Sequence, residues 1–437
     1  MNNKTPIDRE VVERKLAENK IERVGKASIR EIKKLVDDIE AETGEHFVRM
    51  EMGIPGLPAA EIAINAEVEA LMNGVASIYP DIQGIPPLKK EMSRFVKNFL
   101  NTEVKPEHCL PTVGSMQGGL AAFMTCSRMH QGKDAVLFID PGFPVQKMQC
   151  KLLEIPFESF DVYNFRGDKL EEKLEEYLSR GNIAAITYSN PNNPSWICFT
   201  EKELQIIGRL ANKYDVVVIE DLAYIAMDFR KDISRPGEPP FQATVAPYTD
   251  NYIMLISSSK SFSYAGQRVG MFIISDALYD KKCPDLKRFY GSEYFGHSML
   301  YGTIYPLSAG TSHSPQYGLA AILKAVNEGE YDFVEVVKEY GEKAKIMKAL
   351  FTDNGFEIVY DKDEDTPIAD GFYFTISYPG LSGEELIHEL VYYGISAISL
   401  AITGSERTEG LRACVSLVQK EQFPALEERL KKFNAHH

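Results

Sequence analysis

The sequence predicts an α/β protein: a large domain with a mostly parallel sheet flanked by helices, plus a smaller α+β domain. Two observations carry this. Short apolar runs of the buried-strand kind (residues 134–140, 182–188, 216–219 and 252–256) each end in a polar loop, with helical spacing between them, as at 200–214. That repetition describes a doubly wound parallel sheet, whose ligands bind beyond the strand carboxyl ends. After residue 310 the order changes to helix, strand, helix, strand, which describes the smaller domain.

Composition narrows the class. A chain of 437 residues, 44% hydrophobic and 25% charged, is long enough for one to three domains and a large core. A net charge of −15 opposes nucleic acid as a partner, since phosphate neutralisation needs a basic face. No apolar run approaches the length of a membrane span, and residues 1–19 are charged without an apolar leader region. Six cysteines (Cys109, Cys126, Cys150, Cys198, Cys283 and Cys414) are scattered with no C-x-x-C pair. Reduced thiols, no metal site and a cytoplasmic location are therefore expected.

Taken in order, residues 6–43 show helical spacing, and Ser28-Ile29-Arg30-Glu31 is a capping-box start for a helix to about residue 42. A strand is expected at 47–52, followed by the turn Gly53-Ile54-Pro55-Gly56, where Gly53 lets the backbone approach a ligand. The turn-rich loop Tyr79-Pro80-Asp81-Ile82-Gln83-Gly84 leads to a helix at 88–99, and the Tyr79 hydroxyl can reach a phosphate. Pro111-Thr112-Val113-Gly114-Ser115-Met116 feeds a helix running to residue 126. The free N–H groups at its start suit an anion, and Ser115 adds a hydroxyl.

The strand at 134–140 is followed by Phe143, a flat face for a ring. The strand at 182–188 leads into Ser189-Asn190-Pro191-Asn192-Asn193-Pro194, and the strand at 216–219 into Glu220-Asp221-Leu222-Ala223-Tyr224. The strand at 252–256 is followed by Ser257-Ser258-Ser259-Lys260, with Arg268 eight positions later. A lysine amine condenses with an aldehyde. Ser257, Ser259 and a forked guanidinium are the groups that would hold an aldehyde's phosphate. Phe143, Asn193, Asp221, Tyr224 and Lys260 all fall at strand carboxyl ends, so weak signals add up at one edge. Further on, 308–317 reads as a loop with His313 on the surface, 318–327 and a stretch to 351 as helices, 371–376 as a strand and 384–393 as a helix. The acidic run 361–365 reads as a solvated loop.

On these residues the chain resembles the pyridoxal-phosphate enzymes of the aspartate aminotransferase fold, class I/II, over roughly residues 47–420. The specific match is Asp221, Tyr224, Lys260 and Arg268 in that order, with Asp-x-x-Tyr spacing and an eight-residue step from Lys to Arg. The resemblance implies a seven-stranded-type sheet and a small domain built from both chain ends. Residues 1–75 would form an arm and part of the small domain, 76–310 the large cofactor-binding domain, and 311–437 the small C-terminal domain. It also implies transfer of an amino group between an L-amino acid and a 2-oxo acid. Lys260 would be the Schiff-base lysine and proton shuttle, and Asp221 the partner of the pyridinium nitrogen. Tyr224 and Asn193 would bond the ring's phenolic oxygen, and Phe143 would stack on the ring. Ser115, Met116 (through its backbone), Ser257 and Arg268 would bind the phosphate. Tyr79 would reach the phosphate of the neighbouring subunit in a homodimer with shared active sites. Gly53 would lie near the substrate carboxylate and Arg412 would clamp it.

Three departures stand out. Ser195-Trp196 replaces the family's Thr-Gly after Asn-Pro, which puts the one tryptophan of the chain on that loop. No second arginine offers itself to a dicarboxylic side chain, and residues 1–46 match nothing in the family. A β-lyase or a decarboxylase would use the same scaffold. A ligand-sensing domain of a transcription regulator would need a basic DNA-binding module, which the sequence does not show.

Overall fold

A computed structural model describes residues 5–437; residues 1–4, where the expected arm and leaderless start begin, lie outside the described residues. The chain divides into two compact units. One comprises Leu57–Asn192 and Cys198–Val337; the other comprises residues up to Gly56, Asn193–Ile197 and Lys338–His437.

The larger unit is built on a seven-stranded sheet. Its strands are β1 (Cys109–Thr112), β2 (Ala135–Asp140), β3 (Phe157–Asp161), β4 (Ile183–Ser189), β5 (Val217–Asp221), β6 (Tyr252–Ser257) and β7 (Gly270–Ile274). The spatial order is β1-β7-β6-β5-β4-β2-β3. Only β7 runs against its neighbours; the other pairings are parallel. Strands β2, β4, β5 and β6 are buried along their whole length, which is why they read as unbroken apolar runs instead of alternating ones.

Helices cover the sheet. Glu201–Tyr214 starts with a capping box between Thr200 and Glu203 and buries Leu204, Ile207, Leu210 and Ala211 on one stripe. Gly114–Cys126 packs close to the sheet because Gly118 has no side chain; a Cβ there would come within 2.9 Å of Phe272 and 3.1 Å of Leu255. The core between them includes Leu110, Phe123, Phe138, Ile219, Leu255 and Phe272.

The smaller unit holds a four-stranded antiparallel sheet. Its strands are β8 (Glu357–Ile358), β9 (Tyr373–Ser377), β10 (Ile398–Ser399) and β11 (Leu411–Cys414), in the order β10-β11-β9-β8. The N-terminal arm belongs to this unit. Its helix Ile29–Thr43 has the Ser28–Glu31 capping box and stops at Gly44 with φ +72°. The helix Arg9–Glu18 is tied to Gly383–Tyr392 by Arg9–Glu389 at 2.8 Å and Glu13–His388 at 2.9 Å.

Several expectations change. The strand expected at 47–52 shrinks to Val48–Arg49, paired in parallel with Ile395–Ser396. The acidic run 361–365 is not a solvated loop: Lys362–Asp363 pairs with Thr366–Pro367 in a short hairpin, and Asp363 is buried. The helix expected from residue 318 begins at His313, which therefore lies in its first turn and not in a loop. Strands β1, β3 and β7 and the helix Lys169–Leu178 were not foreseen. Among the described residues, none of the six cysteines forms a disulfide. Among the described residues, no helix is long and apolar enough to cross a membrane, and no cluster of His, Cys, Asp or Glu could hold a metal.

Candidate active site

Strands β1 to β6 run the same way, so their carboxyl ends share one edge with the amino end of β7. Across that edge Thr112 pairs with Gly270 and Gly270 with Ser257, while Leu255 pairs with Asp221 and Asp221 with Ser189. Most of the residues singled out in the sequence hang from these positions.

The helix Gly114–Cys126 begins here, and its first N–H groups have no intrahelical acceptor. Two glycines let it meet the neighbouring chain. Gly114 has φ +64°, and a Cβ on it would sit 2.5 Å from Arg268 Nη2. A Cβ on Gly270 would sit 2.9 Å from the Ser115 nitrogen. The Arg268 guanidinium is thus laid against the helix start, anchored by Nη1 donating to the Ala265 carbonyl at 2.8 Å. Ser115 and Met116 occupy the first turn, where the Met116 carbonyl accepts from Gln149 Nε2 at 2.9 Å. Ser257 Oγ caps the next short turn by accepting from the Ser259 N–H at 3.1 Å. A positive helix end, a guanidinium and two hydroxyls make an anion cradle.

Lys260 lies half-buried in the one-turn helix Ser258–Ser261 directly after β6. Ser258 Oγ donates to the Val269 carbonyl, and Ser261 Oγ donates to the Ile225 carbonyl at 3.0 Å. The second bond joins the lysine turn to the turn that carries buried Tyr224.

Asp221 ends β5. Its Oδ2 accepts from Gln146 Nε2 at 2.9 Å and its Oδ1 from the Ala223 N–H at 3.1 Å. Burial pushes its carboxyl up to about 6, against the pull of these two bonds. No cation pairs with it among the described residues. Gln146 stands on the helix Pro144–Leu152, which Phe143 precedes, so one segment presents Phe143 and grips Asp221. Sequence reasoning missed Gln146; its place in the first turn after Phe143 was the available signal.

In the smaller unit, Arg412 lies in the middle of the sheet, paired with Thr375 of β9 and Ile398 of β10, and is 1% exposed. Its Nη2 donates to the Glu51 carbonyl at 2.6 Å and its Nη1 to Asn193 Oδ1 at 3.3 Å. Its guanidinium carbon lies 4.5 Å from the Tyr373 ring centroid. Nε has no partner, and no carboxylate is in ion-pair reach among the described residues. Buried charges ordinarily have a counter-charge; the Arg412 guanidinium has a carbonyl and an amide oxygen instead. Gly53 packs against the same tyrosine: a Cβ there would sit 2.0 Å from Tyr373 Oη. Trp196 is fully buried with φ +65°, edge-on to Tyr373, and Gly371 makes room for its indole. Tyr373 was not foreseen, and nothing local in the sequence marks it. Tyr79, in the larger unit, is 90% exposed on the loop before the helix Pro86–Leu100.

Comparison with known proteins decides the family. The family described as "Aminotransferase class I and II" matches residues 53–430. The chain belongs to the class I and II aminotransferases. It is 24% identical over 323 residues to a probable aspartate aminotransferase of Methanocaldococcus jannaschii, covering 72% of this chain and 79% of that one. It is 25% identical over 332 residues to an LL-diaminopimelate aminotransferase of Halothermothrix orenii, covering 74% and 79%. Its fold is similar to that of an alanine aminotransferase from Pyrococcus furiosus (TM-score 0.75, 17% identity, 96% of this chain and 99% of that one). An aspartate aminotransferase from Thermotoga maritima gives a TM-score of 0.74 at 18% identity, with coverage of 96% and 99%.

This aminotransferase therefore transfers an amino group between an amino acid and a 2-oxo acid and depends on pyridoxal phosphate. The residues fit that cofactor. Gly114 and Gly270 keep open a cradle that side chains would fill, and Asp221 is a buried carboxylate that lacks a cation.

Proposed function

We propose that this aminotransferase holds pyridoxal phosphate covalently at Lys260 Nζ and acts as a cytoplasmic homodimer with shared active sites. The observation that carries the reading is Asp221: a buried carboxylate without a cation, one strand away from the lysine turn. A protonated ring nitrogen is the cation such a group would hold.

When bound, the cofactor supplies an aldehyde that takes up the amino group and a ring that draws electrons from the substrate Cα. Asp221 keeps the ring nitrogen protonated, and Gln146 fixes the carboxylate's orientation. Tyr224 and Asn193 bond the ring's phenolic oxygen, and Phe143 covers one ring face. Ser115, Ser257, Arg268 and the Met116 N–H take the phosphate. Arg412 binds the substrate carboxylate through the N–H groups it has left, with Gly53 beside it. With the cofactor in place, Lys260 Nζ would carry the proton from the substrate Cα to the cofactor's aldehyde carbon.

Tyr79 is proposed to serve the phosphate of a second copy. In support, the helix Glu61–Met72 turns Ile64, Val68, Leu71 and Met72 to solvent, and Ile78, Tyr301 and Tyr305 are also exposed. Gln83 Nε2 donates to the Tyr301 hydroxyl at 3.3 Å, which links the Tyr79 loop to that apolar surface. Partners other than a second copy and the small-molecule substrates are not expected.

A panel of amino donors with 2-oxoglutarate, followed by the near-visible band of the lysine-bound cofactor, tests the reading. One donor should shift the band toward the ultraviolet without releasing ammonia. Lys260→Ala should lose the band, and covalent cofactor retained by that variant after borohydride would refute Lys260.

A further inference from the structure

The lysine turn is an awkward piece of chain. Ser263 and Arg268, neither a glycine, have φ of +50° and +52°. Left-handed residues of this kind persist only where their surroundings hold them. Three tethers are local: Ser258 to Val269, Ser261 to Ile225, and the Tyr264 N–H to the Ser258 carbonyl at 3.1 Å. A fourth leaves the sheet edge. Tyr264, four residues after Lys260 and four before Arg268, is 3% exposed and donates its hydroxyl to Glu67 Oε2.

The far end of that bond is built to receive a phenol. Glu67 Oε1 accepts from Ser314 Oγ at 3.1 Å, and no lysine or arginine pairs with Glu67 among the described residues. Two hydroxyl donors are what its carboxylate has. The slot for the ring comes from Gly318 on the helix His313–Asn327. A Cβ there would sit 2.1 Å from Tyr264 Oη and 2.8 Å from the Ala63 carbonyl. On the helix Glu61–Met72, Glu67 lies between the side of buried Ala63 and Ala70 and the exposed stripe of Ile64, Val68 and Leu71.

We propose that Glu67 and Tyr264 are positioning residues for the Lys260 turn, tying it to the helix whose exposed stripe receives the second copy. This rests on the reading of Lys260 as the cofactor lysine and names a control on that same site. The phenol-to-carboxylate bond is charge-assisted, and such bonds are shorter and stronger than neutral ones. Covering the stripe would remove water from the flank of Glu67 and strengthen the bond, so assembly and the lysine turn would be coupled through one contact.

Tyr264→Phe keeps the ring and removes the bond; Glu67→Gln removes the charge; Gly318→Ala closes the slot. Each should release pyridoxal phosphate about tenfold faster than the parent holoenzyme, the size expected of one charge-assisted bond. The pH at which the near-visible band of the lysine-bound cofactor titrates should move the same way in all three. In the cofactor-free protein, amide exchange over residues 258–268 should speed up by about tenfold, while exchange in β5 stays unchanged. Tyr264→Phe combined with Glu67→Gln should be no worse than the stronger single change. A lower melting temperature with unchanged exchange, band titration and cofactor release would overturn the proposal, because it would leave the pair a purely structural role. Additive effects would overturn it too, since the residues would then act separately. The exchange measurement needs no cofactor, so it decides this point even if Lys260→Ala shows that another lysine carries the aldehyde.

Discussion

Replacing Asp221 by asparagine should make the cofactor-free protein more stable above pH 7 and nearly inactive when loaded. Burial lifts the folded-state value of Asp221 from 3.8 to about 6. The unfolded chain therefore releases this proton near pH 4, while the folded chain keeps it until about pH 6. Between those values the folded state binds the extra proton, so stability falls as pH rises. The favourable contribution is fully present below about pH 4 and lost once pH has passed about 6. At about 1.4 kcal/mol per pH unit, the gap is worth ~3 kcal/mol. An asparagine carries no such cost. Its Oδ1 still accepts from the Ala223 N–H, and Gln146 can turn its amide over to accept from Nδ2. Urea titrations of both cofactor-free proteins at pH 4 and pH 8 read the effect. The variants should be close at pH 4, with Asp221→Asn ahead by up to ~3 kcal/mol at pH 8. Turnover should drop by roughly two to four orders of magnitude, because a neutral amide does not hold the ring nitrogen protonated. An equal stability difference at both pH values, or a near-normal rate, would show that Asp221 is an ordinary carboxylate at the sheet edge.

Other changes test the remaining parts. Gly114→Ala forces a side chain onto φ +64° and into Arg268, so cofactor affinity measured by dialysis should fall about tenfold. Arg412→Lys keeps a charge but loses the fork, so the KM for amino donors should rise about 30- to 100-fold with kcat less affected. Mixing inactive Tyr79→Ala with inactive Lys260→Ala under subunit exchange should restore part of the activity, since one site of each mixed dimer keeps both residues. A mixture that stays dead after exchange is verified would assign Tyr79 to its own subunit.

What the sequence revealed depended on distance along the chain. Strands β2, β4, β5 and β6 were readable because burial on both faces leaves a continuous apolar run, and each stops at a polar loop. The edge strands were not. β1 contains Pro111, which only an edge strand tolerates, and β3 carries Glu158 and Ser159 on a half-exposed ladder. The hairpin at Lys362–Asp363 is too short for any alternation to register.

Side chains supplied from elsewhere in the chain were hidden for a stronger reason. Tyr264 and Glu67 are 197 residues apart, and each looks ordinary where it stands: a tyrosine in a loop, a glutamate on a helix. Their pairing shows only after Gly318 has been placed between them. Gly53 shows the same dependence. Its sequence setting says that something approaches the backbone closely, and the approaching atom is Tyr373 Oη, which shares its ring with Arg412. A glycine in a turn announces a close neighbour, but only the fold says whether that neighbour is a ligand, a guanidinium as at Gly114, or a phenol whose ring lies against a guanidinium.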